Sequence, residues 1–209
     1  MKSVPTFFVC TFVLVMAGSA RAEHEGKIQI LLLGDSATES SIPRKVAPQE
    51  PQFEDVVRIL LAAAGDLPPA NVINLGLSGE FIRRLLDSGR YDRAAAKLPG
   101  LDYIFIRYGG NDHAKREDFP VNFPKDFHEL LARLRQDHPA AMLIPTTNIP
   151  WGEDLDAEDT WPKEANQLIR QVAAQENPAC FDLYPRYEAE QAKGPHMLNC
   201  RRYPLAKTP

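Results

Sequence analysis

An α/β fold built on a parallel sheet, with helices on both faces, is the class that this sequence predicts, and three observations lead there. Short aliphatic runs recur at residues 28–33, 71–75, 103–106 and 141–145, each closed by Gly, Asn, Tyr or Pro-rich turn sequence. Between them lie stretches with three- and four-residue apolar spacing, namely Phe53, Val56, Val57, Leu60 and Leu61, and then Phe127, Leu130, Leu131 and Leu134. Strands that alternate with helices in this way pair in parallel through right-handed crossovers.

The elements follow in order. Residues 1–22 carry Lys2, an apolar stretch from Phe7 to Met16, and the small-x-small sequence Ala20-Arg21-Ala22, so they are expected to be a signal peptide on an exported chain. Residues 23–209 are expected to form one domain, with nothing in them long enough to span a bilayer. The first strand, Ile28-Gln29-Ile30-Leu31-Leu32-Leu33, runs into Gly34-Asp35-Ser36. A serine at the carboxyl end of a buried strand stands where open α/β sheets bind ligands. Residues 41–51, with three prolines and mixed charge, read as a loop beside that serine. A helix is predicted over residues 160–175, with Pro162 in its first turn, and Cys180-Phe181-Asp182-Leu183 reads as a fifth strand.

Composition narrows the function classes. The whole chain has 24 basic and 28 acidic residues, a net charge of −4, and loss of Lys2 and Arg21 with the leader takes it to −6. That disfavours nucleic acid and anionic membranes as partners. Cys180 and Cys200 would remain after export, either as a disulfide worth about 3 kcal/mol or as two unpaired small hydrophobes. Oligomeric state is not legible.

Two further segments fall at successive strand ends. Asn74-Leu75-Gly76-Leu77-Ser78-Gly79-Glu80 follows the second strand, and Gly109-Gly110-Asn111-Asp112 follows the third. Together with Gly34-Asp35-Ser36, in this order and placement, they resemble the SGNH hydrolases, the GDSL-type esterases and lipases. The resemblance implies a flavodoxin-like three-layer α/β/α sandwich with a central parallel sheet of about five strands. It implies Ser36 as nucleophile and Gly79 and Asn111 as oxyanion donors, with Gly76 as the rival glycine. The physical reading runs the same way: a glycine lets a backbone N–H approach a developing oxyanion, and the Asn111 amide and the Ser36 N–H can add two more donors. The implied activity is hydrolysis of a small-molecule or carbohydrate ester, with short acyl or acetyl chains, through an acyl-enzyme and with neither cofactor nor metal.

The family base is a histidine with an aspartate three residues before it. Here the histidine after the fifth strand is His196, and Lys193 stands at the aspartate position. A histidine without its carboxylate loses its preferred tautomer and the stabilisation of the imidazolium, so His196 is expected to act in a dyad, with a backbone carbonyl or Asp182 in support. The short tail after His196 is also what a chain cut before the family's last block would show, which makes a catalytically impaired or C-terminally truncated pseudo-esterase the alternative. A metal-dependent phosphoesterase is a minor alternative: Asp35, Asn111, Asp112 and His113 offer ligands at strand ends, but no His-x-x-x-His pair occurs among the five histidines. His113 is the one other histidine expected at the pocket rim, and Trp151 and Trp161, flanking an acidic loop, could stack on a sugar ring.

Overall fold

The computed structural model describes residues 26–149, 160–176 and 179–192. The expected signal peptide, Trp151, His196 and Cys200 lie outside these residues. Four parallel strands form one sheet in the order β2-β1-β3-β4. They are β1 (Ile28–Gly34), β2 (Ala70–Asn74), β3 (Tyr103–Arg107) and β4 (Met142–Pro145). β1 is central, pairing with β2 from Ile28 against Ala70 and with β3 from Ile30 against Tyr103 to Gly34 against Arg107.

The fifth strand differs from the sequence expectation. It is reduced to one parallel bridge between Thr146 and Phe181, next to β4, which extends the order toward that of flavodoxin-like sheets. The reason lies in Thr147, whose hydroxyl oxygen accepts from the N–H groups of Leu183 and Tyr184 at 2.8 and 3.1 Å. The chain therefore turns into a helix, Tyr184–Ala192, instead of pairing further.

Alternation along β1 divides the core. Leu31 and Leu33 face a large cluster with Ile104, Ile106 and Leu143, covered by helices Ile82–Asp87 (α4), Phe119–Asp137 (α6) and Thr160–Glu176 (α7). Ile30, Leu32 and Val72 face the opposite layer, where Phe53, Val57 and Leu61 of α3 (Phe53–Ala63) pack on the sheet. Of the periodic residues that predicted α3, Val56 and Leu60 are exposed, because the row in contact repeats every four residues and leaves its flank to solvent.

Two short helices precede α3: α1 (Ser36–Glu39) and α2 (Ser41–Val46). The stretch expected to be a loop thus begins as a helix. Pro43 falls in the first turn of α2, where a missing N–H costs nothing, and Arg44 ties α2 to Glu54 of α3 at 2.6 Å. A π-helical turn at Tyr91–Ala95 and α5 (Gly110–Lys115) complete the elements between β2 and α6, so α7 and Tyr184–Ala192 are the seventh and eighth α-helices of the described residues.

Candidate active site

The turn that carries Ser36, the expected nucleophile, is fixed from below by a glycine and from within by a carboxylate. A side chain on Gly34 would come 2.6 Å from the carbonyl oxygen of Arg107 and 2.9 Å from Thr38 Cβ, so only glycine lets α1 fold back against β3. Asp35 is buried, and its carboxylate accepts from the Ala37 N–H at 2.9 Å, which caps α1. The Asp35 carbonyl accepts from the N–H groups of Thr38 and Glu39 at 3.1 and 2.8 Å. Burial raises the Asp35 carboxyl above its usual range, against the pull of the Ala37 N–H and of the charges on Arg107 and Lys115. Ser36 is left half-buried as the first residue of α1.

The segment after β2 is laced to this turn. Asn74 donates to the Thr38 carbonyl at 2.7 Å and accepts from the Gly76 N–H at 2.9 Å. The Leu77 N–H donates to the Gly34 carbonyl at 3.0 Å, and the Ser78 N–H donates to the Glu39 carboxylate at 2.7 Å. Gly79 then adopts φ +75°, a conformation that favours glycine. Glu80, only 1% exposed, accepts from Arg90 at 2.6 Å and from the Tyr108 hydroxyl at 2.8 Å. Burial raises the Glu80 carboxyl in spite of these two donors, the outcome expected when desolvation outweighs pairing.

The third segment closes on the second. Gly109 has φ +138°, and a side chain there would come 2.7 Å from Asn148 Nδ2, the group that donates to the Tyr108 carbonyl at 2.8 Å. Asp112 is 1% exposed, and its two oxygens accept from the N–H groups of Ile82 at 2.9 Å and Gly109 at 3.0 Å. Burial nevertheless pushes its carboxyl up to about 7. Asn111 donates from Nδ2 to the Glu80 carbonyl at 3.1 Å, which sets its amide beside the peptide that joins Glu80 to Phe81.

The segments that carry Ser36, Gly79 and Asn111 are therefore joined at the carboxyl edge of the sheet through main-chain and side-chain bonds. Among the described residues, the N–H groups of Ser36 and Gly79 have no hydrogen-bond partner, whereas the Gly76 N–H is held by Asn74. The geometry favours Gly79 over its rival as a donor. Gly76 has a packing role instead: a side chain there would come 2.6 Å from the carbonyl carbon of Thr38 and 2.7 Å from Glu39 Cα.

Other candidates are placed elsewhere. Asp182 is held by Arg170 at 2.9 Å and by the Thr147 hydroxyl at 2.8 Å, and these partners keep its carboxyl below the usual range. His113 is exposed on α5, 3.6 Å from Glu164 and edge-on to Phe119 with ring centres 5.1 Å apart. Trp161 packs against the main core cluster. Among the described residues no group of three or more His, Cys, Asp or Glu side chains is placed to hold a metal ion, and no helix is long and apolar enough to cross a membrane. Sequence reasoning missed Glu80, Arg90 and Tyr108 as supports; the one signal was an acidic residue directly after Ser78-Gly79.

Residues 32–202 match the model of the GDSL-like lipase/acylhydrolase family. The fold is that of solved esterase structures. An acetyl xylan esterase superposes with a TM-score of 0.62 at 22% identity, over 79% of this chain and 82% of that one. An acetylxylan esterase from Geobacillus stearothermophilus superposes with a TM-score of 0.57 at 21% identity, over 81% and 82%. Two further structures of the latter enzyme are of catalytic mutants, one with an aspartate and one with a histidine replaced by alanine. Comparison with curated protein sequences finds no match.

Proposed function

Because the chain belongs to the GDSL-like lipase/acylhydrolase family, we propose that it is an exported serine esterase that removes short acyl groups, acetyl above all, from a small-molecule or carbohydrate alcohol. The observation that carries this reading is the pair of N–H groups, on Ser36 and Gly79, that have no partner among the described residues, with the Asn111 amide bonded to the carbonyl of Glu80 next to Gly79. The names of the acetyl xylan esterases that share the fold support the acyl chain.

In this mechanism the Ser36 hydroxyl oxygen attacks the ester carbonyl carbon and passes its proton to the base, for which His196 is the candidate. The carbonyl oxygen becomes an oxyanion that accepts from the Ser36 N–H, the Gly79 N–H and Asn111 Nδ2. Collapse breaks the bond to the alcohol, which takes the proton from the base and leaves an acyl-enzyme. Water then attacks the acyl carbon with the base taking its proton, and Ser36 is released with the acid. No metal enters any step.

The test is hydrolysis of a short-chain aryl acetate, with chelator present, by the parent and by Ser36→Ala and His196→Ala. Both variants should fall by about 10³-fold or more. Activity that survives His196→Ala but not Ser36→Ala would move the base elsewhere. Lys193 at the aspartate position favours a second reading, a pseudo-esterase that binds ester or sugar without turnover; a parent no faster than Ser36→Ala would establish it.

A further inference from the structure

The charges around Gly79 run against those of the chain. The protein carries a net charge of −4, yet two cations flank this glycine: a methyl group placed on it would come 3.5 Å from Lys115 Nζ and 4.0 Å from Arg84 Nη1. Lys115 ends α5 and donates to the Gly79 carbonyl at 2.7 Å, with its ammonium 5.8 Å from the centre of the Phe81 ring. The side chain of Arg84, exposed on α4, forms no hydrogen bond or ion pair among the described residues. Several other arginines are engaged: Arg83 with Asp87 and Glu129, Arg90 with Glu80, Arg116 with Asp126, Arg170 with Asp182. A third cation, Arg107, lies beside Gly34 in the sheet, and its buried Nε has no partner among the described residues. The Asp35 carboxyl feels both Arg107 and Lys115, which places these charges around the residue before Ser36. Glu39, bonded to the Ser78 N–H, and the buried Glu80, whose carboxyl feels Arg84, offset part of this charge.

An exposed arginine next to a proposed oxyanion donor, with no ion pair among the described residues, offers a site for a carboxylate on the substrate. A planar guanidinium binds that group in a two-pronged geometry, and a neighbouring ammonium adds attraction without requiring orientation. Resting on the esterase reading above, we propose that Arg84 and Lys115 form a subsite for an anionic group, so that the preferred substrate is an ester that also carries a carboxylate. The carboxylate belongs either to the alcohol part, as in an acylated uronic acid of an acidic polysaccharide, or to the acyl part, as in a hemiester of a dicarboxylic acid. Lys115 acts on every ester because it holds the Gly79 peptide. Arg84 touches only the substrate and is the discriminating position.

Three esters separate the sources: para-nitrophenyl acetate, para-nitrophenyl hemisuccinate with the carboxylate in the acyl part, and para-acetoxybenzoate with it in the alcohol part. For one anionic ester, Arg84→Gln should lower kcat/KM about tenfold relative to the neutral acetate, the size of a 1.4 kcal/mol interaction. Arg84→Glu should lower it further, and about 1 M salt, where the Debye length is about 3 Å, should remove the difference. A loss confined to hemisuccinate assigns the acyl side, and one confined to acetoxybenzoate the alcohol side. Equal ratios for all three esters in parent and variants would overturn the subsite while leaving the esterase reading intact. If the parent hydrolyses none of them, the esterase reading fails and binding decides: calorimetry of Ser36→Ala with tetragalacturonate and with neutral xylotetraose supports the subsite if the acidic sugar binds tighter and Arg84→Gln abolishes the preference, and overturns it if the two bind alike or not at all.

Discussion

Replacing Gly76 by alanine should damage the turn that carries Ser36, the proposed nucleophile, without touching a reacting group. The backbone of residue 76 sits directly on α1: an added methyl would lie 2.6 Å from the carbonyl carbon of Thr38, 2.7 Å from Glu39 Cα and closer still to the Glu39 nitrogen. Ordinary contacts need about 3.4–4 Å, so α1 must move away from β2 by about 1 Å. All the colliding atoms are main chain, and no side-chain rotation relieves them. α1 is also bound there by Asn74 to the Thr38 carbonyl at 2.7 Å and by Glu39 to the Ser78 N–H at 2.7 Å, so the shift strains or breaks these bonds. Overpacking of this kind costs about 1–3 kcal/mol, and a displacement of about 1 Å at a nucleophile can cost about 10²-fold in rate. Urea denaturation and kcat on an aryl acetate measure the two effects. Gly65→Ala is the control for conformation alone: its φ of +80° makes alanine unfavourable, but an added methyl there meets nothing within 4 Å. A Gly76→Ala protein with parental stability and kcat would refute the claim that close backbone approach positions Ser36.

Two further predictions concern the buried carboxyls. Asp112, pushed up to about 7 by burial, keeps in the folded chain a proton that the unfolded chain releases near the usual 3.8, so stability falls as pH rises from about 4 to about 7. At about 1.4 kcal/mol for each unit, the fall is at most roughly 4 kcal/mol. Asp112→Asn removes that slope and loses one N–H acceptor, so its deficit against the parent is largest near the acidic end and narrows as pH rises; denaturation curves that stay parallel across the range would rule out Asp112 as the titrating group. Arg90→Gln leaves the Glu80 carboxylate buried with Tyr108 as its remaining side-chain donor and should cost about 3–5 kcal/mol. A second change, Glu80→Gln, should recover most of this in urea denaturation, and an unchanged loss in the double variant would show that Arg90 acts through its bond to the Leu75 carbonyl instead.

The layered architecture was legible because β1, β3, β4, α6 and α7 carry enough apolar residues to show a period. α4, α5 and the π-helical turn were not, since five or six residues span too little of a helical repeat. The fifth strand failed for a local reason: Phe181 pairs once, and Thr147 then takes the next two N–H groups into a helix. At the candidate site, the order of segments along the chain singled out Gly76, Gly79 and Asn111. Their supports were not legible, because Glu80 finds Tyr108 and Arg90, and Asp112 finds the Ile82 N–H, across long stretches of sequence that no periodicity links.

These supports bear on what rate an esterase with Lys193 in place of the orienting aspartate can reach. Loss of the carboxylate behind a catalytic histidine costs about 10⁴-fold, whereas oxyanion stabilisation and binding alone retain about 10³–10⁴-fold over water. Here the segments that carry the proposed oxyanion donors are held by bonds that do not involve the proposed base: Leu77 to Gly34, Ser78 to Glu39, Ile82 to Asp112, and the Asn111 amide to the Glu80 carbonyl. Donors fixed in this way need no reorganisation when charge develops. A dyad at Ser36 should therefore turn over activated aryl esters, whose leaving group needs little help from an acid, and be slow on alkyl esters, whose leaving group must be protonated. The ratio of the two rates, compared between parent and Lys193→Asp, reads the missing carboxylate directly: the substitution should speed the alkyl ester more than the aryl ester, and equal gains on both would place the defect outside proton transfer.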